Sequence, residues 1–402
     1  MRVVSARWVI PMERPPIADG ALALADNGTI VAVGTRAELR AEFPDVPEQR
    51  AEGALLPGLV NAHCHLELSL HDPVPGGQGL FAWATALMQA RASDLPEDVH
   101  AAATGAAAAA RIGGTAAIGD VGNSLAAVDG IGRAGLAGVL FHELVGSREA
   151  ATGDALADAA RERAEVPDWP ERLGYVPAPH APYSAGPELL GRIFAAAAAT
   201  GRATSIHVAE GEDEVALLRD GSGRWPAFLA SIGVDPATRV PGKSPVAYLA
   251  SLGAFETPTP PLLVHMVHAG ADDRRIAREA GATVVLCARS NLHIGGRLPD
   301  VDAFVGEGLP LAIGTDSQAS VPDLSLWAEI ATLAAHFPAV PAVRWLDAAT
   351  RGGARALGLR GFGALRAGAR PGVLDVPVDD IANPLESLVR DPLPDLDWVA
   401  RA

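Results

Sequence analysis

Pro57-Gly58-Leu59-Val60-Asn61-Ala62-His63-Cys64-His65 is the stretch on which the reading of this chain turns. The apolar run 55–62 has the length of a strand and ends in two histidines spaced two apart. Residues i and i+2 of a strand point to the same side, so His63 and His65 can face one point in space together. An isolated His-X-His can equally be two exposed loop histidines, and its meaning depends on what the rest of the sequence sets beside it.

Seven more apolar runs follow the first, at 115–118, 136–141, 173–178, 203–206, 262–264, 283–286 and 309–313. Each ends in polar residues, and alanine- or leucine-rich helical stretches separate them; 101–110 is one such covering helix. Continuous apolar strands alternating with helices imply a parallel sheet covered by helices. Eight such units imply an α/β fold closed as a (β/α)8 TIM-type barrel, although an open doubly wound sheet shares the periodicity. The unusual polar residues lie just past the strand ends, where a barrel builds its active site, and that favours the barrel.

The two ends of the chain have a different texture. Runs at 2–10 and 21–24 are separated by a proline-rich turn, Asp26-Asn27-Gly28 is a hairpin signal, and 29–33 returns as a strand. The stretch 361–378 is again short, turn-punctuated and strand-like. These segments predict a small β-sandwich domain made of 1–54 and 357–402, around a catalytic barrel at 55–356.

Bulk properties narrow the function. A chain of 402 residues exceeds the size of one ordinary core. A net charge of −16 argues against nucleic acid and anionic membrane surfaces as partners, since both demand clustered positive charge. Cys64 and Cys287 sit in apolar runs and read as reduced thiols. The start lacks the long apolar core of a signal peptide, and no run approaches ~20 uninterrupted apolar residues. The expectation is a cytoplasmic protein acting on a small molecule, with self-association into a homo-oligomer left open. Lys243 is the sole lysine; every other basic side chain is arginine.

More strand ends carry suitable chemistry. The fifth ends in Ser205-Ile206-His207-Val208-Ala209-Glu210, the sixth in Val264-His265-Met266-Val267-His268 and the eighth in Gly314-Thr315-Asp316-Ser317. Three histidines and a carboxylate form a nitrogen and oxygen set suited to zinc, iron or manganese. A lone His207 or Asp316 would more often be structural; candidates at matching strand ends are harder to ascribe to coincidence. His268 is expected to face a helix, His142 and His293 are ambiguous, and His71, His100 and His336 are assigned to surface or packing.

Pro57 to His65 resembles the signature of the amidohydrolase superfamily. So do His207-Val208-Ala209-Glu210, Pro179-His180-Ala181-Pro182-Tyr183-Ser184 and Gly314-Thr315-Asp316-Ser317. The likeness is greatest to its deaminase and chlorohydrolase branch and covers nearly the whole chain. It implies one divalent ion, zinc first and iron or manganese next, held by His63, His65, His207 and Asp316. It implies Glu210 and His265 as proton-transfer groups and His180 as a substrate contact. The chemistry of the residues agrees: a metal lowers the pKa of water and makes hydroxide available. Asp316 can then accept a proton, and Glu210 can protonate a ring nitrogen or leaving group. Binuclear relatives carry a bridging lysine after the fourth strand, where this chain has His180-Ala181-Pro182-Tyr183. Lys243 lies elsewhere, so one metal is the better reading.

His65-Leu66-Glu67-Leu68-Ser69, followed by Phe81-Ala82-Trp83, is similar to aminofutalosine deaminases, which act on an adenine nucleoside that also carries a benzoate. The resemblance implies a hydrolytic deaminase of an aminated nitrogen heterocycle, with aminodeoxyfutalosine as the model substrate. Glu67 would accept ribose hydroxyls, Phe81 or Trp83 would cover an aromatic ring, and Arg148 or Arg289 would meet a carboxylate. The competing readings are a chlorohydrolase or a guanine- or cytosine-type deaminase on the same fold. A non-catalytic interaction protein is the alternative of another class, but one that should have lost ligands or proton-transfer residues. Two departures are noted. Arg370-Pro371-Gly372-Val373-Leu374-Asp375 replaces an Ala-Asp-Leu pattern, and Ala288 stands where relatives often have proline.

Overall fold

The structure is a computed structural model that describes every residue except 147–151, 379–381, 391 and 393. Strands β1 (Arg2–Val9), β2 (Ile17–Leu24), β3 (Ile30–Thr35), β4 (Glu48–Arg50) and β5 (Ala54–Pro57) open the chain. Eight strands follow: β6 (Leu59–Cys64), β7 (Thr115–Gly122), β8 (Ala137–Leu144), β9 (Leu173–Pro179), β10 (Ser205–Val208), β11 (Leu262–His265), β12 (Val284–Leu286) and β13 (Leu311–Ile313). Strands β14 (Val373–Val376) and β15 (Asp397–Ala400) end it.

The eight middle strands lie where apolar runs were read, and helices separate them. Every residue of β7 and β8 is buried, which is why these strands are apolar throughout and do not alternate. The helix Pro187–Thr200 shows how the covering layer is specified. Pro187 starts it, a stripe of Leu189, Leu190, Ile193, Phe194 and Ala197 is buried, and Gly201 at φ +65° ends it. Each fully buried Leu, Ile or Phe contributes about 1.5–3 kcal/mol to holding the helix on the strands.

β6 to β9 form one parallel four-stranded sheet in sequence order, and β10 to β13 form another. Backbone bonds also cross from one sheet to the other. His207 N donates to His180 O at 3.0 Å, joining β10 to the end of β9, and Thr315 N donates to His63 O at 2.9 Å, joining the end of β13 to β6.

The terminal strands make one seven-stranded sheet in the order β15-β14-β5-β1-β2-β3, with β4 beside β1. The Asp26-Asn27-Gly28 turn joins β2 and β3 as read, with Gly28 at φ +84°. Two readings need correction. The run 55–62 is not one strand: β5 pairs with β1 and β14 in the terminal sheet, and β6 begins the parallel set. Pro57-Gly58 makes the break, and a Cβ at Gly58 would stand 2.5 Å from that of Ala116. Of 361–378 only Val373–Val376 is extended, and β15 at the chain's end supplies the other C-terminal strand.

Gly138 marks the tightest approach between neighbouring strands. It sits on β8 at φ +153°, and a Cβ there would meet the Ile118 carbonyl oxygen of β7 at 1.8 Å. Gly138→Ala should destabilise the protein by about 3 kcal/mol or more, combining an unfavourable backbone with a core clash. The denaturation midpoint should fall with little change in slope; an unchanged midpoint would show that the strands separate at no cost.

Candidate metal centre and its cavity

The end of β6 is held from two sides. Asn61 Nδ2 donates to Thr315 Oγ1 at 2.8 Å, tying β6 to the end of β13. Asp120 on β7 accepts the Leu66 backbone N–H at 2.9 Å, fixing the chain just past His65. Between these ties stand the two histidines of the motif. His63 is wholly buried, and neither of its ring nitrogens has a hydrogen-bond partner among the described residues. His65 Nε2 lies 3.1 Å from His207 Nε2. His207 Nδ1 is 2.9 Å from the His180 carbonyl oxygen and donates to it, which leaves the Nε2 lone pair facing His65. Asp316 Oδ1 stands 3.6 Å from His65 Nε2 and 3.9 Å from His63 Nε2. Its Oδ2 accepts from Ser320 Oγ at 3.2 Å and also from Ser290 Oγ.

These residues fit a divalent cation. Nitrogen atoms of His63, His65 and His207 lie within 4.8 Å of one another, with a carboxylate oxygen beside them. The 3.1 Å spacing suits two ligands of one ion at metal–nitrogen distances of about 2.0–2.1 Å. Burial, then the neighbouring histidines, holds His63 and His65 well below the usual histidine range, so both rings are neutral, as metal binding would require. Burial likewise brings His180 and His207 down to about 4. It raises Asp316 to about 6, against the hydrogen bonds from Ser290 and Ser320.

His265 and Glu210, the two groups read as proton carriers, adjoin the cluster. His265 Nε2 is 3.6 Å from Glu210 Oε1. Asn291 Nδ2 is 2.9 Å from His265 Nδ1, and with Asn291 as donor the ring proton sits on Nε2, facing Glu210. Burial, then Asp316 and Glu214, raises the Glu210 carboxyl well above the carboxylate range. Glu214 accepts the backbone N–H groups of Ala209 at 2.9 Å and Glu210 at 3.0 Å, bracing the turn that presents Glu210.

All of this opens into a cavity of about 380 Å³, lined by His65, Glu67, Trp83, Arg91, Glu143, Tyr183, His207, Trp225, Phe228, His265 and Asp316 among others. His180 lines it too, with Nδ1 2.6 Å from Ser184 Oγ. Lys243 is exposed and outside the lining.

The substrate-binding expectations divide. Trp83 lines the cavity and donates to the Ala319 carbonyl at 3.2 Å. Phe81 does not: two residues apart on the helix Leu80–Ala90, the side chains diverge by about 200°. Phe81 instead packs edge-on against Trp225 at 4.9 Å. Glu67 reaches the lining, but its oxygens are taken. Oε1 accepts from Asn123 N at 3.0 Å and Arg91 Nη2 at 3.3 Å, while Oε2 accepts from Ser124 N at 3.0 Å and Ser124 Oγ at 2.7 Å. Four donors fill a carboxylate's acceptor sites, so the ribose role read for Glu67 is corrected to a structural one. Arg289 pairs with Asp323 at 2.7 Å and is not in the lining. Arg148 lies outside the described residues. His268 lines a separate cavity beside Arg224 and Asn291. His142 contacts Tyr175 OH at 2.9 Å, and His293 contacts the Val74 carbonyl oxygen at 2.7 Å.

Several residues of the site were not read from sequence. Glu143, at the end of β8, obeys the same strand-end rule as the clustered histidines and was within reach of it. Burial raises its carboxyl to about 7. Ser290, Asn291, Ser320 and Glu214 act through other residues and carry no signal of their own. The aromatic wall of Tyr183 and Trp225, stacked at 4.2 Å, comes from segments outside the strands.

The family model described as "Amidohydrolase family" matches residues 54–371. The chain belongs to the amidohydrolase family. An aminodeoxyfutalosine deaminase of Deinococcus radiodurans is 33% identical to this amidohydrolase over 349 residues, 83% of this chain and 80% of that protein. The crystal structure of Helicobacter pylori aminofutalosine deaminase in complex with methylthio-coformycin superposes with a TM-score of 0.86 at 22% identity, covering 100% of this chain and 99% of that one. An adenosine deaminase from Xanthomonas campestris with bound zinc matches at a TM-score of 0.78 and 26% identity, covering 98% and 90%.

The amidohydrolase centre makes two expectations measurable. Elemental analysis should find about one tightly held divalent ion per chain, and His63→Ala with His65→Ala should remove it; two tight ions per chain would refute a mononuclear site. Asn291→Ala should keep the metal and lower turnover about 10- to 100-fold, because His265 loses the partner that sets its ring. Full turnover in that variant would remove His265 orientation from the account.

Proposed function

We propose that this amidohydrolase is a metal-dependent deaminase of adenine nucleosides, using one zinc ion held by His63, His65, His207 and Asp316. The observation that carries the reading is the facing pair of Glu210 and His265, 3.6 Å apart beside the ligand cluster in a cavity walled by aromatic rings. Relatives named for aminodeoxyfutalosine and adenosine deamination support it.

When bound, such an ion lowers the pKa of water and so provides a nucleophile at neutral pH. Glu210 holds the proton that goes to the ring nitrogen next to C6. His265 orients the attacking water through Nε2. Asp316 takes up the proton that water releases and returns it to the departing amine. A C–O bond forms at C6, the C6–N bond breaks, the remaining hydroxyl proton passes back to Glu210 as the C6 carbonyl forms, and ammonia leaves a hypoxanthine nucleoside. Trp83, Tyr183 and Trp225 exclude water and hold the planar base, with His180 as a further contact.

The outer cavity suits an aromatic acid on the sugar. Met88, Val145 and Ile232 are large, exposed apolar side chains of its lining, and Arg91 is the one arginine among the described lining residues. Arg91, with Arg148 as the sequence suggests, would meet the carboxylate.

The same reading extends to architecture. The two parallel sheets would form a single closed (β/α)8 barrel at 55–356, supported by the backbone bonds at both junctions. The terminal sheet, 1–54 and 357–402, would fold over as a small sandwich; residues 24–45 match a bacterial imidazolonepropionase-like composite domain. A cytoplasmic location agrees with two free, buried cysteines, and among the described residues no helix is long and apolar enough to cross a membrane.

Ammonia release from aminodeoxyfutalosine, adenosine, guanine and a chlorinated triazine tests the substrate class. The adenine nucleosides should be turned over most efficiently, with aminodeoxyfutalosine ahead of adenosine. Efficient turnover of guanine or the triazine with both nucleosides inert would overturn it. Glu210→Gln should keep its metal and lose at least ~100-fold in rate; joint loss of metal and activity would make Glu210 a structural group.

A further inference from the structure

Glu143 lies on β8, is buried, and lines the cavity next to His180. Its Oε2 accepts from Asn123 Nδ2 at 2.9 Å, and the same amide donates to the Glu143 carbonyl oxygen at 3.3 Å. Asn123 is itself fixed, because its backbone N–H donates to Glu67. The carboxylate is thus gripped from behind while Oε1, fully buried, has no hydrogen-bond partner among the described residues. Buried carboxylate oxygens are seldom left without a donor.

The place of that oxygen is informative. It is 3.6 Å from His207 Nδ1, on the side of the imidazole away from the nitrogen that faces His65. It therefore stands beyond the His207 ring from the side that faces His65, on the wall of the same cavity, away from the metal cluster as the sugar of a nucleoside is away from the reacting edge of its base. A nitrogen of His180 converges on the same spot, within 4.8 Å. A second metal ion does not suit it. The His207 Nδ1 proton is directed to the His180 carbonyl, Nε2 serves the first ion, and His180 Nδ1 is engaged by Ser184. One carboxylate oxygen and one imidazole nitrogen remain, and hydroxyl groups, which both donate and accept, match them.

We propose, resting on the nucleoside reading above, that Glu143 Oε1 accepts the hydrogen of a sugar hydroxyl and makes Glu143 the residue that selects ribose. Glu67 positions Asn123, and through it Glu143, without touching substrate.

The test compares kcat/KM for adenosine, 2′-deoxyadenosine and 3′-deoxyadenosine in the zinc-loaded enzyme, with metal content measured on each sample. The wild type should prefer adenosine over at least one deoxy analogue by about 10- to 100-fold, the scale of a hydrogen bond to a charged group. In Glu143→Ala that ratio should fall to within about threefold of unity, chiefly through KM for adenosine, with zinc retained. Glu143→Gln keeps the shape and one acceptor, and should show a smaller fall of at least about threefold. A ratio that survives both substitutions would overturn the proposal. So would an equal loss for all three substrates accompanied by zinc loss, which marks simple support of His207. If deamination proceeds but the wild type itself ignores the hydroxyls, the sugar contact is wrong while the deaminase reading stands. If no adenine nucleoside reacts at all, the nucleoside reading fails first and the proposal with it.

Discussion

Three imidazoles and a carboxylate crowd one buried spot, and among the described residues neither ring nitrogen of His63 has a hydrogen-bond partner. Such a cluster is unfavourable by itself: acceptors face acceptors away from water. It can be held only by a frame that denies each group an alternative. Asn61, Asp120, Ser290, Ser320 and the His180 carbonyl supply that frame, each fixing one ligand or the backbone next to it. The backbone shares the load. Ala209, His265, Met266 and Asp316 all have positive φ, between +52° and +73°, although none is glycine. Strain of this kind persists only where surroundings over-determine it, and here it falls at the strand ends that aim the reactive groups.

The same constraint explains the electrostatics. Histidines held below their usual range by burial stay neutral, as ligands must, while the nearby carboxyls of Glu210 and Glu143 are pushed upward. A cation at the cluster would compensate the lone pairs and give the site its net positive focus. Glu210 and His265 then sit close enough to act on whatever is polarised there, and the aromatic wall decides what can approach.

The clustering of these residues was legible in the sequence because they obey a simple rule. Strand alternation places His63 and His65 on one side, and the ends of β10 and β13 supply the partners. The rule works on backbone periodicity alone. It fails where side chains meet through loops, so Tyr183 and Trp225 went unread. It also fails where an element is mistaken: Phe81 and Trp83 resemble a pair until the helix beneath them sends one outward. Glu67 shows a third limit. Its carboxylate type and its place in the lining were right for ligand contact, but the four donors that occupy it come from Arg91, Asn123 and Ser124, distant in sequence. The break at Pro57-Gly58 was hidden because apolar residues run continuously through it.

That break has a consequence for how the protein is made. Only Gly58 separates β5 from the strand that bears His63 and leads into His65, and one edge of β5 is paired with β14, at residues 373–376. During synthesis that edge has no partner until residues 373–376 have been made. His63 and His65 therefore emerge long before the sheet that anchors their strand can gain β14. Asp316 too emerges more than two hundred residues after them. A chain that stops short of β14 would expose an unpaired strand edge beside the histidine cluster.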